Sequence, residues 1–377
     1  MGLELFPAPR GFEANGSFFT YFSEFRSPDH LLPVSVETAV LVLVFLVSLM
    51  TNACMTGLVI KGKKLVNFQC LVLNLFLADI VFVGVIPVIL AVRWTESWTL
   101  GAIVCHALFY VMALSGGVTI ITLAAISIER SISILQMRLK APLHCKSVTA
   151  VVLTIWVFSA LTSLPLCIHF QVMTIHVKDQ EHQICTLVWP NTAQEIIWDL
   201  SYGLFNFTIP GLIIVISYTK ILKVSAIHSS DLVNFLMSLE ITKAARKKLQ
   251  ARRPSSENQR QIRVSKQDYW LFRTLLILMT SFFIMWTPIS LIIFLLLVQN
   301  FKRDLFLTST LFFWVCAFTF TNSALNPILY GATQFRGEWQ RLLCFFHFKS
   351  RDKTATEHAN TNVRIQESQP APSVICD

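Results

Sequence analysis

The sequence predicts an all-α membrane protein, a bundle of seven transmembrane helices followed by a short amphipathic eighth helix at the inner membrane surface. Three observations carry this. The mean hydropathy is +0.59, with 54% hydrophobic and only 14% charged residues, outside the range of a water-soluble domain. The apolar residues gather in seven runs, near 34–60, 69–92, 102–128, 148–170, 197–219, 271–298 and 305–330. Each suits a helix crossing hydrocarbon, which takes about 20 residues because every backbone group must be bonded within the segment. Lys and Arg are also distributed unevenly: with the first loop placed inside, 25 of 31 lie on the cytoplasmic side. The positive-inside rule then puts the N-terminus outside and the C-terminus in the cytoplasm.

Residues 1–33 form the outer N-terminal segment. Glu4, Arg10, Glu13, Glu24, Arg26 and Asp29 interrupt the apolar core that a cleavable signal needs, so the first span is expected to act as an uncleaved anchor. Asn15-Gly16-Ser17 matches the glycosylation sequon; Asn206-Phe207-Thr208 also matches but falls inside a span. Of nine cysteines, only Cys105, at the outer start of the third span, and Cys185, in the 171–196 loop, both face the oxidising side. A disulfide between them would tie that loop to the third helix. No Cys-x-x-Cys pair occurs, and no metal centre is expected.

The bundle extends over 34–333 and includes a basic cytoplasmic loop, 220–270, read as a loop with helical extensions of its flanking spans. Along 334–348, Phe335, Trp339, Leu342, Leu343 and Phe346 share one helical face, as a helix lying on the membrane surface requires. Cys344 within it is a palmitoylation candidate. The polar tail, 349–377, is expected to be disordered, with Thr354, Thr356, Thr361, Ser368 and Ser373 open to kinases.

The net charge is +9. Its basic clusters flank the spans, so they suit anionic membrane lipid and an acidic partner and not nucleic acid. No His-Glu-x-x-His, Gly-x-Ser-x-Gly, Walker or dinucleotide motif is present, which argues against an enzyme. A transporter fits poorly as well: the spans are odd in number, no internal repeat is visible, and no pair of broken helices meets at mid-membrane.

A charge at mid-bilayer costs about 2.5–3.5 kcal/mol, and few are expected in the spans: Asp79 in the second, and Glu129-Arg130 at the inner end of the third. Asp79 is placed to meet Asn52, Asn322 and Asn326, either as a network that only fixes packing or as a sodium or proton site coupled to switching. Apart from that sodium ion, no cofactor is expected. Glu129 and Arg130 make an ion pair able to break and re-form, or Arg130 simply snorkels to the interface. Pro288 and Pro327 each free a backbone carbonyl inside a helix and create a bend. Trp286, just before the first bend and on one face with Phe282, is a ring that a ligand can push.

Taken in order, Asn52, Asp79, Cys105 with Cys185, Glu129-Arg130, Trp156, Pro210, Tyr218, Trp286-x-Pro288 and Asn326-Pro327-x-x-Tyr330 resemble the rhodopsin-like (class A) G-protein-coupled receptors over about 35–345. Ser131 departs from the usual Tyr, Thr51 from the usual Gly and Met285 from the usual Cys; the first bears on how tightly the inactive state is locked. The resemblance implies a receptor that opens its cytoplasmic face, exposing Arg130 and Tyr218 to a G protein, with Asn326, Pro327 and Tyr330 taking part in the switch.

Residue types narrow the ligand. Residues 305–330 contain no Lys for a retinal Schiff base, and Met112 stands where amine receptors of this class carry Asp. The upper half offers one cation, Arg93, and aromatic residues: Phe82, Phe109, Trp198, Phe312, Phe313 and Phe320, with Asn206 beside them. Each aromatic has an ordinary packing explanation, and Arg93 an alternative role as an interface residue or a partner of Glu96. Together they describe a guanidinium above an apolar channel, a site for a fatty carboxylate. The stretches Ala91–Trp98, Cys105–Gly116, Cys185–Pro190, Ser281–Pro288 and Leu311–Tyr330 are similar to those of the long-chain free fatty acid receptors. That similarity implies Arg93 near the carboxylate and Phe82, Trp98, Phe109, Trp198, Asn206, Trp286, Phe312, Phe313 and Phe320 around the chain of a medium- or long-chain acid. It also implies coupling to Gq/11 and Gi/o proteins, receptor kinases and arrestin at the plasma membrane. The alternative within the class is another lipid or a small apolar peptide, with Arg93 serving structure alone.

Overall fold

The computed structural model describes residues 12–13, 16–24, 31–61, 67–135, 145–177, 180–220, 256–299 and 307–334. Among them, seven helical segments are long and apolar enough to cross a membrane. They are Leu31–Lys61, the pair Asn67–Val83 and Ile86–Thr95, Gly101–Leu135, Cys145–His169, Thr192–Lys220, Ser256–Gln299 and Ser309–Gln334. The sixth reaches back to Ser256, a helical extension into the basic loop. The chain forms two compact units, Met1–Leu329 and Tyr330–Asp377; the bundle and its cavity belong to the first. Asn15, all but the first residue of the expected eighth helix at 334–348, with Cys344, and the tail positions Thr354, Thr356, Thr361, Ser368 and Ser373 lie outside the described residues.

The third span is the hub. Of its most apolar window 61% is buried, against 22% for the first, fourth and sixth, and it packs on the second, fourth, fifth and sixth spans. Lipid is as apolar as leucine, so packing and polar ties hold such helices together. Asn74 supplies two: its Nδ2 donates to Thr122 Oγ1 at 2.8 Å, and its Oδ1 accepts from Trp156 Nε1 at 2.8 Å. That one amide links the second, third and fourth spans. Ser131 Oγ donates to Ser217 O, 3.1 Å away on the fifth.

Two helices are irregular where the sequence demands it. The second span breaks into two helices at Gly84-Val85, just ahead of Pro87, whose ring and missing N–H prevent an unbroken ladder. Beyond the break, Ile86, Ile89, Val92 and Arg93 are buried. The fifth span carries a π-helical turn, Leu204–Thr208, ahead of Pro210. Insertion of one residue into the turn leaves Asn206 as its buried member, and such bulges recur at functional sites.

Two more features escape the sequence pattern. The 171–196 loop contains an antiparallel hairpin, β3 (Phe170–Val177) and β4 (Gln180–Leu187), with Val172 paired to Cys185. A smaller pair, β1 (Phe12–Glu13) and β2 (Gly16–Ser17), lies in the N-terminal segment. The charges in the spans also exceed the expected set. Glu37 in the first span is 1% exposed, and Asp199 lies in the fifth.

Cys105 and Cys185 form a disulfide with Cα atoms 5.6 Å apart, pinning β4 to the start of the third span. The Trp98 amide adds a second tether, donating to Gln183 O at 2.6 Å. Removing a native disulfide costs about 2–5 kcal/mol in small domains. Cys105→Ser is therefore expected to lower the unfolding temperature of the purified protein by several degrees. Cys185→Ser and the double variant should fall to the same value, because one bond is lost in each case. Additive losses in the double variant would contradict a shared bond.

Candidate functional site

The site starts with a strap. Phe19, Tyr21 and Phe22 run across the hairpin end of the bundle, and Phe22 and Ser23 are each 2% exposed. Ser309 Oγ donates to Ser23 O at 2.8 Å and bonds Thr20 Oγ1 at 2.9 Å; Thr186 Oγ1 donates to Phe19 O at 2.9 Å. The rings fill the top of the bundle: Phe109 stacks on Phe170 at 4.0 Å between centroids and on Phe22 at 5.7 Å, while Tyr21 meets Phe109 at 4.7 Å and Phe312 at 5.3 Å. Burial, and then the Asp199 and Glu195 carboxylates, push the Tyr21 phenol above its ordinary pKa, so the strap presents a neutral hydroxyl here.

Below the strap lies a cavity of about 530 Å³, within the range of small-molecule sites. Six expected ligand residues wall it: Phe82, Phe109, Trp198, Asn206, Trp286 and Phe312. No Lys, Arg or His is among its described lining residues, whereas Glu195 and Asp199 are. Two of its lining residues each carry a buried donor without a hydrogen-bond partner, Asn206 Nδ2 and Trp286 Nε1. The other walls are fixed: Trp198 Nε1 donates to Thr162 O at 3.1 Å, and Tyr202 Oη to Ala113 O at 2.8 Å.

Four expected residues do not line the cavity. Trp98 is buried and donates to Gly101 O at 2.8 Å. Phe320 packs behind Phe82 at 4.5 Å, and Phe313 lies under the Arg93 guanidinium at 4.8 Å. Arg93 is already paired. Its Nε and Nη2 donate to the two Glu37 oxygens at 2.9 and 2.8 Å, Nη2 also meets Glu24 at 2.9 Å, and Nη1 donates to Phe22 O at 3.1 Å. A bidentate carboxylate is what a buried guanidinium requires, and here the protein supplies it. Glu24, which also accepts from Thr310 Oγ1, joins the strap to this cluster. Glu37 sits just inside the first apolar run, where a polar residue near a span end attracts little notice. Glu24 lies in a segment with no periodicity, and neither residue enters the expected site.

The floor of the cavity is a ring stack. Trp286 lies against Phe282 at 5.3 Å and 19°, and against Phe82 at 5.1 Å and 28°. Gly116 makes room for it: a Cβ there would stand 2.5 Å from the indole. Gly117 does the same beside Asn206 Oδ1, 2.9 Å from such a Cβ. Pro288 follows on the same helix, and Thr319 Oγ1 ties the seventh span to Met285 O at 3.0 Å.

Deeper, Asp79 is 1% exposed and accepts from Asn326 Nδ2 at 2.9 Å. Asn52 instead donates to the backbone of Ser323 and Ser48, both at 2.8 Å. Asn322 is 1% exposed, one turn before Asn326 and Pro327. At the far end Arg130 forms a two-point ion pair with Glu129, and its guanidinium covers the Phe68 ring at 4.2 Å. Tyr218 is buried in the fifth span, and Tyr330 lies on the seventh helix three residues past Pro327.

The sequence model of the 7 transmembrane receptor (rhodopsin family) matches residues 51–330. Free fatty acid receptor 4 of Rattus norvegicus is 49% identical over 350 residues, covering 92% of this chain and 91% of that receptor. The Mus musculus receptor of the same name is 48% identical over 356 residues, 93% of this chain and 92% of its own length. Somatostatin receptor type 4 of Rattus norvegicus is 26% identical over 310 residues, 80% of this chain and 71% of its own.

The contact between Gly116 and Trp286 yields a test independent of any ligand. Gly116→Ala forces the indole to move, and overpacking costs about 1–3 kcal/mol, so the unfolding temperature should drop. In a Trp286→Leu background the same change should be nearly neutral. Equal losses in both backgrounds would place the strain elsewhere.

Proposed function

Since this chain belongs to the rhodopsin family of seven-transmembrane receptors, we propose that its cavity holds the acyl chain of a medium- or long-chain free fatty acid and that occupancy is read out by a G protein. Family membership makes it a multi-pass membrane receptor and not an enzyme. The observation that carries the ligand reading is the apolar cavity ending on the Trp286 stack. The names of the two free fatty acid receptors reported above point the same way. Each buried methylene contributes about 0.8 kcal/mol, so a long tail supplies most of the affinity.

Arg93 takes the ligand carboxylate by exchange. Glu37 keeps its bidentate hold, and the acid replaces Glu24 on Nη2. The tail presses on Trp286, whose displacement favours the state in which the sixth span swings about Pro288. Only a difference in ligand affinity between the two states can drive that shift. At the other end Arg130 leaves Glu129, and with Tyr218, Asn326 and Pro327 it completes the surface for Gq/11 or Gi/o. Kinases acting on the tail and arrestin follow, at a plasma membrane with the N-terminus outside; Asn15 would then carry glycan and Cys344 palmitate.

Asp79 is bonded to Asn326, and the side-chain carbonyl oxygens of Asn52, Asn322 and Asn326 are buried without hydrogen-bond partners. Hard cations take oxygen ligands, so this donor set fits a sodium ion, which would stabilise the arrangement that binds it.

Glu195 and Asp199 in the lining, together with the full pairing of Arg93, favour a second reading: an apolar ligand with a neutral or donor head group. Calcium mobilisation and arrestin recruitment with long-chain acids and their methyl esters separate the two. On the fatty-acid reading the acids act, the esters do not, and Arg93→Gln paired with Glu37→Gln weakens potency by roughly 10-fold or more, the worth of one charged hydrogen bond. Glu24→Gln should raise potency. Equal action of acid and ester would select the second reading.

The ring stack adds its own expectation. Trp286→Ala should cut the maximal response severalfold at nearly unchanged surface expression. Parallel losses in response and expression would reduce Trp286 to a packing residue.

A further inference from the structure

At the hairpin end the cavity is covered. Phe22, Trp98 and Phe170 are each 2% exposed, Cys185 is 3% exposed, and the disulfide holds the hairpin over the rings. The flank between the fifth and sixth spans is different. Leu200, Leu204 and Thr208 follow one another at four-residue intervals on the fifth, and all three line the cavity. Yet Leu200 is 59% and Leu204 46% exposed, and Thr208 is exposed as well. Opposite them, Ile293 and Phe294 on the sixth also line the cavity and are 45% and 52% exposed. Exposed leucines are ordinary on a helix facing lipid. A stripe that walls an internal space and also lies on the outer surface marks a place where the two are continuous. Gly203, between Leu200 and Leu204, lines the cavity and has nothing within 4 Å of where a Cβ would stand.

We infer that the gap between Leu200–Leu204 and Ile293–Phe294 is a lateral portal through which the ligand enters from the bilayer, tail first. The inference rests on the fatty-acid reading and deepens it. A single 14-carbon chain already partitions into bilayers with a constant of about 10⁴ M⁻¹, so free acid concentrates beside this gap. The rim is leucine, isoleucine and phenylalanine, which accept methylenes. Glu195 and Asp199 stand on the same helix on the hairpin side of Leu200, so the polar groups lie to one side and the rim itself offers no partner to a carboxylate. The methyl end therefore leads. The covered top and the open flank together make the leaflet the source, and not the water above the strap.

The test uses the full-length receptor in phosphatidylcholine nanodiscs. Stearic acid bearing a terminal diazirine is dissolved in the lipid, and labelling of Phe109–Gly117 is followed by mass spectrometry after short light pulses. Leu204→Trp with Phe294→Trp is expected to slow the approach to plateau by about tenfold while the plateau stays within about twofold, since a gate changes both rates and a wall changes affinity. Leu204→Ala, which widens the gap, should speed labelling. Ser309→Ala, which loosens the strap, should leave the rate unchanged. Time courses that superimpose for wild type and both Leu204 variants, or acceleration by Ser309→Ala alone, would overturn the portal in favour of entry from the top. Absence of any plateau labelling in wild type would overturn the fatty-acid reading itself, and the portal with it.

Discussion

A polar group in hydrocarbon has no water to turn to, so it must find its partner inside the protein. Arg93 shows how far that constraint organises this bundle. Its side chain is 1% exposed, and a lone guanidinium there would be untenable. Glu37 reaches across from the first span and Glu24 descends from the N-terminal strap, and with them come the strap, its three aromatic rings and the bond from Nη1 to Phe22 O. The closed end of the cavity thus follows from one buried charge. Removing either partner of such a pair costs about 3–5 kcal/mol because the other is left stranded.

The same constraint decides what could be read in advance. Span positions were legible because backbone satisfaction leaves only long helices, and each of the seven apolar runs overlaps one of the observed helices. Cys105 and Cys185 were legible from topology alone. Trp286 and Phe282 were legible from helical spacing, since residues four apart share a face. The partners of Arg93 were not. Glu24 lies 69 residues away in sequence and Glu37 lies 56 away, and no local pattern links them. Composition could suggest a cation above aromatics, but not that the protein's own carboxylates already held it. Nor could it show that Phe313 and Phe320 stand behind the wall and not in it, because a one-residue rotation of the seventh helix decides that.

The π-helical turn and the two adjacent glycines carry a related lesson. Each looks like a minor irregularity in an apolar run, yet Asn206 turns inward on the first, and Trp286 finds its place through the second. The cavity is therefore built from exceptions to regular helix, while the regular parts supply stiffness. Its floor, Phe82–Trp286–Phe282, spans the second and sixth helices in one stack. Motion of the indole cannot stay local: it must either unstack Phe82 or carry the sixth helix with it.

The strap is part of the same chain as the guanidinium it touches, and tethering changes the arithmetic of competition. Held by Ser309, Thr186 and the aromatic rings, Glu24 faces Arg93 at an effective concentration of about millimolar or more. On the proposed fatty-acid reading, a free acid at micromolar level starts roughly three decades behind, about 4 kcal/mol, and its head group alone cannot close that gap. The tail must, through about five buried methylenes at roughly 0.8 kcal/mol each. Shorter acids would occupy the cavity and leave Glu24 in place. Chain length would then act as a threshold as well as a scale, separating molecules that merely fill the receptor from those that make it let go of itself.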